Sequence, residues 1–483
     1  MFVSALWRGG SSAVRGNLMM PFDTFFVIAV AVIAALAALL SPRLLLPLLL
    51  TLGSLNIFSV YWRFSWSPSK VILVLSSLAF LRLRSFSPLI KRSLPWQYIF
   101  AMLLSVLINY MWVSNLEVPW TGVGDICDAN VAARTWTNFG VEILYFMAIV
   151  PFAYRNGNVE DLNRILRLYV WFSTLLCIYG MYQYFAYYLH LPVRKIIRPN
   201  GAAQFPVFPI GDVMICRMYS LCGEPKSFAS FILPSFIALI IPVGLRPAQL
   251  GGTLFKKWNL VLHFLCLVLA FSTSIFVSLF FVLMLVFLIL GQKKTFRYLL
   301  VTCGLLFILF IANLVTATYF GGGFLRQVFA ERTVNRLDAA TQTDVSAVDT
   351  SEGRALVMYA KSPGQWLLGF GKGNYSYALY NYYKVAVPYA NPGFVDVLIE
   401  TGFVGLAALL WYLYRIYKRL KDVSCHEKSF ESRKTDNMVL ILFVSSAINY
   451  LMFEDVAQFI VFISLAVSRL EAFKILSLNK KIN

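Results

Sequence analysis

Two polar stretches of this otherwise apolar chain hold the residues whose types and spacing suit chemistry on an anionic group. In the first, Arg217 precedes Glu224 and Pro225, directly before an apolar segment. In the second, Gly353 and Arg354 open a stretch rich in glycine and tyrosine. A guanidinium group can hold a phosphate through two parallel hydrogen bonds, and a nearby carboxylate can take a proton from a hydroxyl group. Such a set suits binding of a phosphate group beside a hydroxyl group that loses its proton.

Each of these side chains also has a purely structural interpretation. Arg217 fits an interfacial arginine that extends its charge to lipid headgroups. Glu224 fits an acid that caps the helix behind it, near the positive end of the helix dipole. Arg354 fits a solvated loop charge. The residues alone leave these alternatives open.

Composition predicts an all-α, polytopic membrane protein. Of the 483 residues, 59% are hydrophobic and 13% are charged, whereas soluble domains have about 25% charged residues. We predict twelve or thirteen transmembrane helices, because a shorter apolar piece at 71–81 either completes a span or extends its predecessor. The predicted spans are 23–41, 44–62, 96–113, 136–154, 165–189, 227–245, 258–272, 275–291, 298–318, 393–414, 437–453 and 456–470.

The net charge of +19 follows the topology of the chain. The basic clusters are separated from one another by pairs of apolar spans, so all lie on one side. By the positive-inside rule that side is the cytoplasm, which places the C-terminus inside and leaves the side of the N-terminus open. A topological origin of the charge argues against nucleic acid as a partner.

The chain divides into three parts. Residues 1–318 hold transmembrane helices and an outward loop, 190–226; residues 319–392 form one long outward loop; residues 393–483 hold the last helices and a cytoplasmic tail. Apolar residues at helical spacing from Phe324 predict an amphipathic interfacial helix. Ser351 predicts the start of a second short helix, which runs to about Lys361 and is stopped by Pro363.

Several polar residues have two interpretations. The glycines around Lys372, in 369–373, lack the spacing of a nucleotide loop, and a plain turn competes with a backbone cradle for phosphate. Glu142, Asp396 and Glu400 lie inside predicted spans, as functional groups or as structural contacts.

The cysteines and histidines indicate no metal. Cys216 and Cys222 share an outward loop, and we expect free thiols there rather than a disulfide. His263 has no metal-binding companion in the sequence, so no metal or other cofactor is predicted.

Three motifs follow one another in a recognisable order. They comprise Arg217, Glu224, Pro225 and Ala229; then Gly353, Arg354, Pro363, Leu368, Gly369 and Gly371; then Asn391, Leu398, Glu400, Gly402, Gly405 and Leu406. With the long loop before the last three spans, this pattern resembles the O-antigen polymerase and O-antigen ligase superfamily of bacterial inner-membrane glycosyltransferases. The resemblance covers roughly residues 95–470.

The resemblance implies transfer of a glycan from a polyprenyl diphosphate to a second lipid-linked repeat unit, at the periplasmic face. It implies Arg217, Glu224 and Arg354 as catalytic residues, with both arginines stabilising the departing diphosphate. The expected partners are the donor and acceptor glycolipids and membrane lipid, with a chain-length regulator left open. The predicted substrate-binding residues are Arg194, Arg198, Lys226, Lys361, Lys372, Tyr389 and Asn391.

One departure from the family pattern favours a polymerase. Ligase-type members carry a histidine directly before the asparagine, where this chain has Ala390 before Asn391. Two alternatives remain: an O-antigen ligase that moves polymer onto lipid A-core, and a transporter of lipid-linked glycans. A transporter favours broken helices and polar residues near the midplane, in repeated halves.

Overall fold

The computed structural model describes residues 20–62, 64–81, 93–114, 131–154, 157–197, 203–210, 213–241, 243–270, 278–284, 351–383, 393–427, 429–453 and 456–482. Within these residues the protein is all-α and polytopic, as predicted, and six helices are long and apolar enough to cross a membrane. The α-helices are α1 (Met20–Leu40), α2 (Leu45–Leu50), α3 (Pro68–Ser76), α4 (Trp96–Ser114), α5 (Val131–Met147), α6 (Ile149–Ala153), α7 (Val159–Tyr188), α8 (Pro225–Ile240), α9 (Lys257–Leu269), α10 (Ser351–Ala360), α11 (Tyr375–Tyr383), α12 (Gly393–His426), α13 (Phe430–Phe453) and α14 (Val456–Ile482).

Short antiparallel hairpins interrupt the helices. Strand β1 pairs with β2, β3 with β4, and β5 with β6. The strands are β1 (Val60–Trp62), β2 (Phe64–Trp66), β3 (Ile196–Ile197), β4 (Ala203–Gln204), β5 (Val207–Ile210) and β6 (Val213–Cys216).

One predicted span is wrong. Instead of a helix over 44–62, α2 is followed by short 3-10 turns and then by the β1–β2 hairpin. The hydroxyl groups of Thr51 and Ser54 donate to backbone carbonyls of the preceding turn. From Val60 onward, β-branched and aromatic residues favour strand. The length of an apolar run alone does not distinguish a helix from short turns followed by a hairpin.

The other predicted helices agree in position where the structure describes them. The span at 136–154 is divided between α5 and α6, and α12 continues to His426, beyond its predicted end. The helix predicted from Ser351 is α10. Residues 278–284 are helical, within the predicted span 275–291. The span at 298–318 and the amphipathic helix from Phe324 lie outside the described residues.

The helices end at two opposite faces. α7 ends directly before the 190–226 segment and α8 begins near its end; we call this end the loop face. At the other end, the Asn163 amide donates to Gln249 (3.1 Å), and the Ala248 N–H donates to Glu431 (2.9 Å). We call this end the basic face, since the arginines and lysines of 415–434 lie there.

The start of α1 lies on the loop face. Buried Asp23 forms an ion pair with Arg194, which belongs to the 190–226 segment. Phe26 packs against Phe58 with ring centroids 4.5 Å apart. These contacts place the start of α1 on the loop face. The sequence alone did not decide on which side the N-terminus lies.

Helix α12 is broken at Gly402, where φ is 68° and ψ is −170°. In a continuous helix the N–H groups of residues 403 and 404 would bond to the carbonyls of residues 399 and 400. Here Phe403 donates to the Trp366 carbonyl (2.9 Å) and Val404 to the Leu367 carbonyl (3.1 Å).

The same segment satisfies the carbonyls that the break leaves open. The Phe370 N–H donates to Ile399 (2.8 Å) and the Gly371 N–H to Glu400 (3.0 Å). We call residues 366–371 the inserted loop. Its carbonyls and its N–H groups replace the hydrogen bonds that are missing from α12. These four backbone groups therefore keep partners, and a buried group without one costs several kcal/mol.

Close approach of two backbones requires glycine on each side of this insertion. A Cβ atom on Gly402 would lie 2.3 Å from the Leu367 oxygen, and one on Gly369 would lie 2.5 Å from the Ile399 oxygen. Both glycines have a left-handed φ of 68°. Any larger residue would both strain the backbone and separate the two segments.

We predict that Gly402→Ala lowers the temperature of thermal unfolding in detergent. The left-handed φ alone costs a non-glycine residue roughly 1–3 kcal/mol, before the clash with Leu367. Gly140→Ala in α5 is the matched control, because an added Cβ there meets nothing within 4 Å. Equal effects of the two changes would contradict tight docking of the inserted loop.

Candidate functional site

Arg217 lies between the β5–β6 hairpin and the end of α9. Its backbone N–H donates to Pro206 (2.8 Å), and its Nε–H donates to the Ala270 carbonyl (3.3 Å). The next residue, Met218, donates to Leu269 (3.0 Å). Carbonyls at a helix C-terminus carry partial negative charge, which suits a guanidinium group. Arg217 is half-buried and held in place on the loop face.

The turn after Arg217 is anchored to two neighbouring segments. The Ser220 N–H donates to the Gln183 side chain (2.7 Å), and the Ile57 N–H donates to Leu221 (3.0 Å). Gly223 has a φ of 84°, and a Cβ on it would lie 3.2 Å from the Asn56 backbone. The turn therefore has a defined position relative to α7 and to the 56–58 turn.

Glu224 occupies the N-cap position of α8, but its carboxylate makes no capping hydrogen bond. The predicted position of Glu224 at the positive end of the helix is confirmed. The side chain is exposed on the loop face. Its role as a general base stays a prediction.

A cavity of about 230 Å³ lies beneath this turn, and the side chains of Lys70 and Lys226 both line it. Lys226 is a predicted substrate-binding residue, whereas nothing in the sequence singled out Lys70. Ser67 caps α3 by accepting a hydrogen bond from the Lys70 N–H (3.3 Å), which brings Lys70 to the cavity. Gln458, from the start of α14, adds an amide group to the lining.

The charge of the cavity suits an anion. Its two lysines come from the first turns of α3 and α8, and the first turn of α14 also lines it. The N-terminal ends of helices carry partial positive charge and unpaired N–H groups, so both sources of charge have the same sign.

A second charged cluster lies beside the break in α12. The Lys372 ammonium group is 2.8 Å from Glu400 Oε2, and both side chains are buried. The Gly373 N–H donates to the other Glu400 oxygen (2.9 Å). Burial lowers the pKa of Lys372, but the Glu142 and Glu400 carboxylates outweigh burial and hold this pKa well above its usual value. The cluster therefore holds a cation beside two buried carboxylates.

Side chains of α4 and α5 also donate hydrogen bonds to the glycine-rich segment and to α12. The Asn109 amide donates to the Gly369 carbonyl (2.9 Å), and the Thr135 hydroxyl donates to Asn374 (2.6 Å). The Ser105 hydroxyl donates to the Glu400 carbonyl (2.6 Å). Helices α4, α5 and α12 therefore all contact the glycine-rich segment.

The glycine-rich segment is a turn and not a phosphate cradle. Gly369, Gly371 and Gly373 all have positive φ, and their N–H groups donate to Gln365 and to Glu400. These N–H groups are thus already engaged inside the protein. Lys372, predicted as a substrate-binding residue, instead holds the turn to Glu400.

Arg354 belongs to α10, which packs against the inserted loop. It lies in the first turns of α10, half-buried, and its carbonyl accepts a hydrogen bond from the Tyr383 hydroxyl (2.7 Å). Behind it, buried Met358 belongs to one apolar cluster with Phe370 and Ile399. Docking of the inserted loop therefore determines where Arg354 lies.

The remaining predicted residues differ in their surroundings. Arg194 is engaged by Asp23, and its guanidinium carbon lies 4.5 Å from the centroid of the Phe58 ring, so its role in holding α1 is structural. Lys361 is exposed after the end of α10. Three further predicted residues lie outside the described part of the chain: Arg198, Tyr389 and Asn391.

The described contacts of Arg217 and Arg354 lie on different elements. Arg217 contacts the β5–β6 hairpin and the end of α9, whereas the helix of Arg354 packs on the inserted loop and α12. Convergence of the two arginines on one substrate stays a prediction.

Two other predictions concern single side chains. Cys216 and Cys222 are free thiols, as expected, and burial raises the pKa of Cys216 to about 12. His263 lies between Ser235 (3.0 Å) and the Asn259 carbonyl (2.9 Å), so both ring nitrogens have partners inside the protein.

Comparison with known proteins identifies no relative: no protein-family model matches the chain, and no curated protein matches it. The resemblance to the O-antigen polymerase and ligase superfamily therefore rests on the motifs themselves.

We predict that Lys372→Met destabilises the protein by roughly 3–5 kcal/mol, because it leaves two buried carboxylates without a cation. The double variant Lys372→Met, Glu400→Gln should recover part of this loss, since it restores the original net charge of the cluster. Unfolding in detergent measures both. Lys434→Met is the control: its partner Glu431 is half exposed, and such pairs contribute about 1 kcal/mol or less. If Lys434→Met costs as much, the buried cluster has no special role.

Proposed function

We propose that the protein is a polymerase that joins oligosaccharide repeat units carried on polyprenyl diphosphate into O-antigen or a related surface polysaccharide. It acts at the periplasmic face of the bacterial inner membrane, as a glycosyltransferase. The observation that carries the proposal is the cavity lined by Lys70 and Lys226, between α3, α8 and α14 and directly below the turn with Arg217 and Glu224. Positive charge there suits the diphosphate of a membrane-anchored donor.

The reaction transfers a sugar from oxygen to oxygen. A hydroxyl oxygen of the acceptor sugar attacks the anomeric carbon of the donor, the bond from that carbon to the diphosphate oxygen breaks, and the diphosphate leaves with the electron pair. Glu224 accepts the hydroxyl proton. Arg217 and Arg354 stabilise the negative charge on the departing diphosphate, through preorganised hydrogen-bond donors in a site of low dielectric constant.

The inserted loop explains why a second arginine can act from a distant part of the chain. Arg354 follows a long segment, which by itself would leave its position undefined. The inserted loop forms hydrogen bonds in the break of α12, and α10 packs against both. Lys372, Gly369 and Glu400 are in this proposal positioning residues.

The ligase alternative uses the same chemistry with lipid A-core as acceptor. Ala390, in place of the histidine of ligase-type members, is why we propose the polymerase first. A deletion strain separates the two. Loss of a polymerase leaves single repeats on lipid A-core, whereas loss of a ligase leaves lipid-linked polymer unattached.

Transport of lipid-linked glycans is a second candidate function, and one observation favours it. α12 is broken at Gly402 beside buried charges, as in many transporters. In those proteins the open backbone groups bind the substrate, whereas here the inserted loop occupies them. Movement of a lipid-linked glycan across liposomes, without glycosyl transfer, would favour transport over polymerisation.

We predict that Arg217→Ala and Arg354→Ala each abolish long-chain surface polysaccharide while the protein still inserts in the membrane. Loss of one such donor to a developing anion lowers turnover roughly 100-fold or more. Arg164→Ala on the basic face is the control, since that side chain is 77% exposed and far from the loop face. Polysaccharide ladders on gels measure the outcome, and intact ladders in both loop variants would rule out the proposed chemistry.

We predict that Glu224→Gln lowers kcat roughly 100-fold or more and leaves donor binding unchanged, because only proton transfer is removed. Single-turnover assays with purified protein and lipid-linked repeats separate these quantities. Glu160→Gln, a 72% exposed acid on the basic face, should be active. Full activity of Glu224→Gln would mean that another group takes the proton.

A further inference from the structure

A groove lies between α4 and α12 at the basic face, at the opposite side of the protein from the proposed active site. Its volume is about 410 Å³, and its lining includes the side chains of Trp96, Gln97, Phe100, Tyr412, Arg415 and Arg419. The proposed glycosyl transfer uses none of these residues.

The floor of the groove is fixed. The Tyr412 hydroxyl donates to the Ser93 carbonyl (2.6 Å), which ties the start of α4 to α12. Tyr412 and Ile416 are buried beneath the opening. The groove therefore belongs to the packed interface of two helices.

The charge of the groove is positive. Arg415 and Arg419 are four residues apart, so they lie on the same side of α12. Among the described residues, no carboxylate forms an ion pair with either guanidinium group. Two neighbouring guanidinium groups on one helix suit a phosphate group, because its oxygens accept parallel hydrogen bonds.

The wall on α4 is apolar and exposed. Trp96 is 47% exposed, Phe100 60% and Leu107 50%, and their spacing of four and seven residues puts them on one side of the helix. Exposed apolar side chains on a membrane-spanning helix contact acyl chains. Tryptophan at the end of such a helix is typical of the headgroup level.

We propose that this groove binds an anionic phospholipid, independently of the proposed glycosyl transfer. Arg415 and Arg419 hold the phosphate group, and an acyl chain lies along Phe100 and Leu107. Basic pockets between transmembrane helices on the cytoplasmic side bind anionic headgroups in other membrane proteins. The apolar wall continuous with the two arginines indicates a lipid rather than a soluble phosphate.

Native mass spectrometry of the purified full chain tests the proposal. The protein in detergent is titrated with phosphatidylglycerol, with phosphatidylcholine of the same acyl chains, and with glycerol phosphate. The variant carries Arg415→Gln and Arg419→Gln. The control carries Lys418→Gln and Lys421→Gln, which removes the same charge from exposed positions of the same helix that do not line the groove.

The expected result is binding of phosphatidylglycerol to the native protein and to the lysine control, and roughly 30-fold weaker binding to the double arginine variant. Arg419→Gln alone, at an exposed position that packing does not depend on, should weaken binding roughly fivefold. Undiminished phosphatidylglycerol binding by the arginine variants overturns the proposal. Equal loss in the lysine control, equal binding of phosphatidylcholine, or equal binding of glycerol phosphate overturns it as well.

Discussion

The exchange of backbone hydrogen bonds between the inserted loop and the broken helix α12 determines where the helix that carries Arg354 packs. Four N–H groups, two from each segment, find carbonyls in the other segment, and glycines at 369 and 402 permit the approach. Without these bonds the break would leave four polar backbone groups without partners, which is costly wherever water cannot replace them. The ion pair of Lys372 with Glu400 holds the same junction, so backbone and charge act together.

The proposed reaction brings together two parts of the chain that are anchored separately. Arg217 and Glu224 belong to the turn before α8, which is anchored by Gln183 and by the 56–58 turn. Arg354 belongs to α10, whose apolar side packs on the inserted loop. In the proposed reaction, both are fixed before the substrate binds, so little reorganisation is needed when charge develops on the diphosphate. Lys70 and Lys226 supply positive charge in the cavity below this turn.

The sequence predicts the fold class well because apolar length and basic clusters are local properties. It also predicts α10, whose start and stop signals at Ser351 and Pro363 are local. It fails for 44–62, where an apolar run forms turns and a hairpin, and for Lys372, whose partner Glu400 is distant in the chain. Lys70 belongs to no sequence motif. Its place in the cavity depends on how α3 packs and could not be predicted from the sequence. The ion pair of Asp23 with Arg194 joins residues 171 positions apart, beyond any pattern of spacing.

The most direct test of the central claim is a cryo-EM structure of the full chain in lipid nanodiscs with a polyprenyl-diphosphate-linked oligosaccharide bound. Our account predicts that the diphosphate lies at the loop face beside Lys226, with guanidinium nitrogens of both Arg217 and Arg354 about 3 Å from its oxygens. A diphosphate bound elsewhere would contradict the account. So would a bound diphosphate with either guanidinium group directed into solvent.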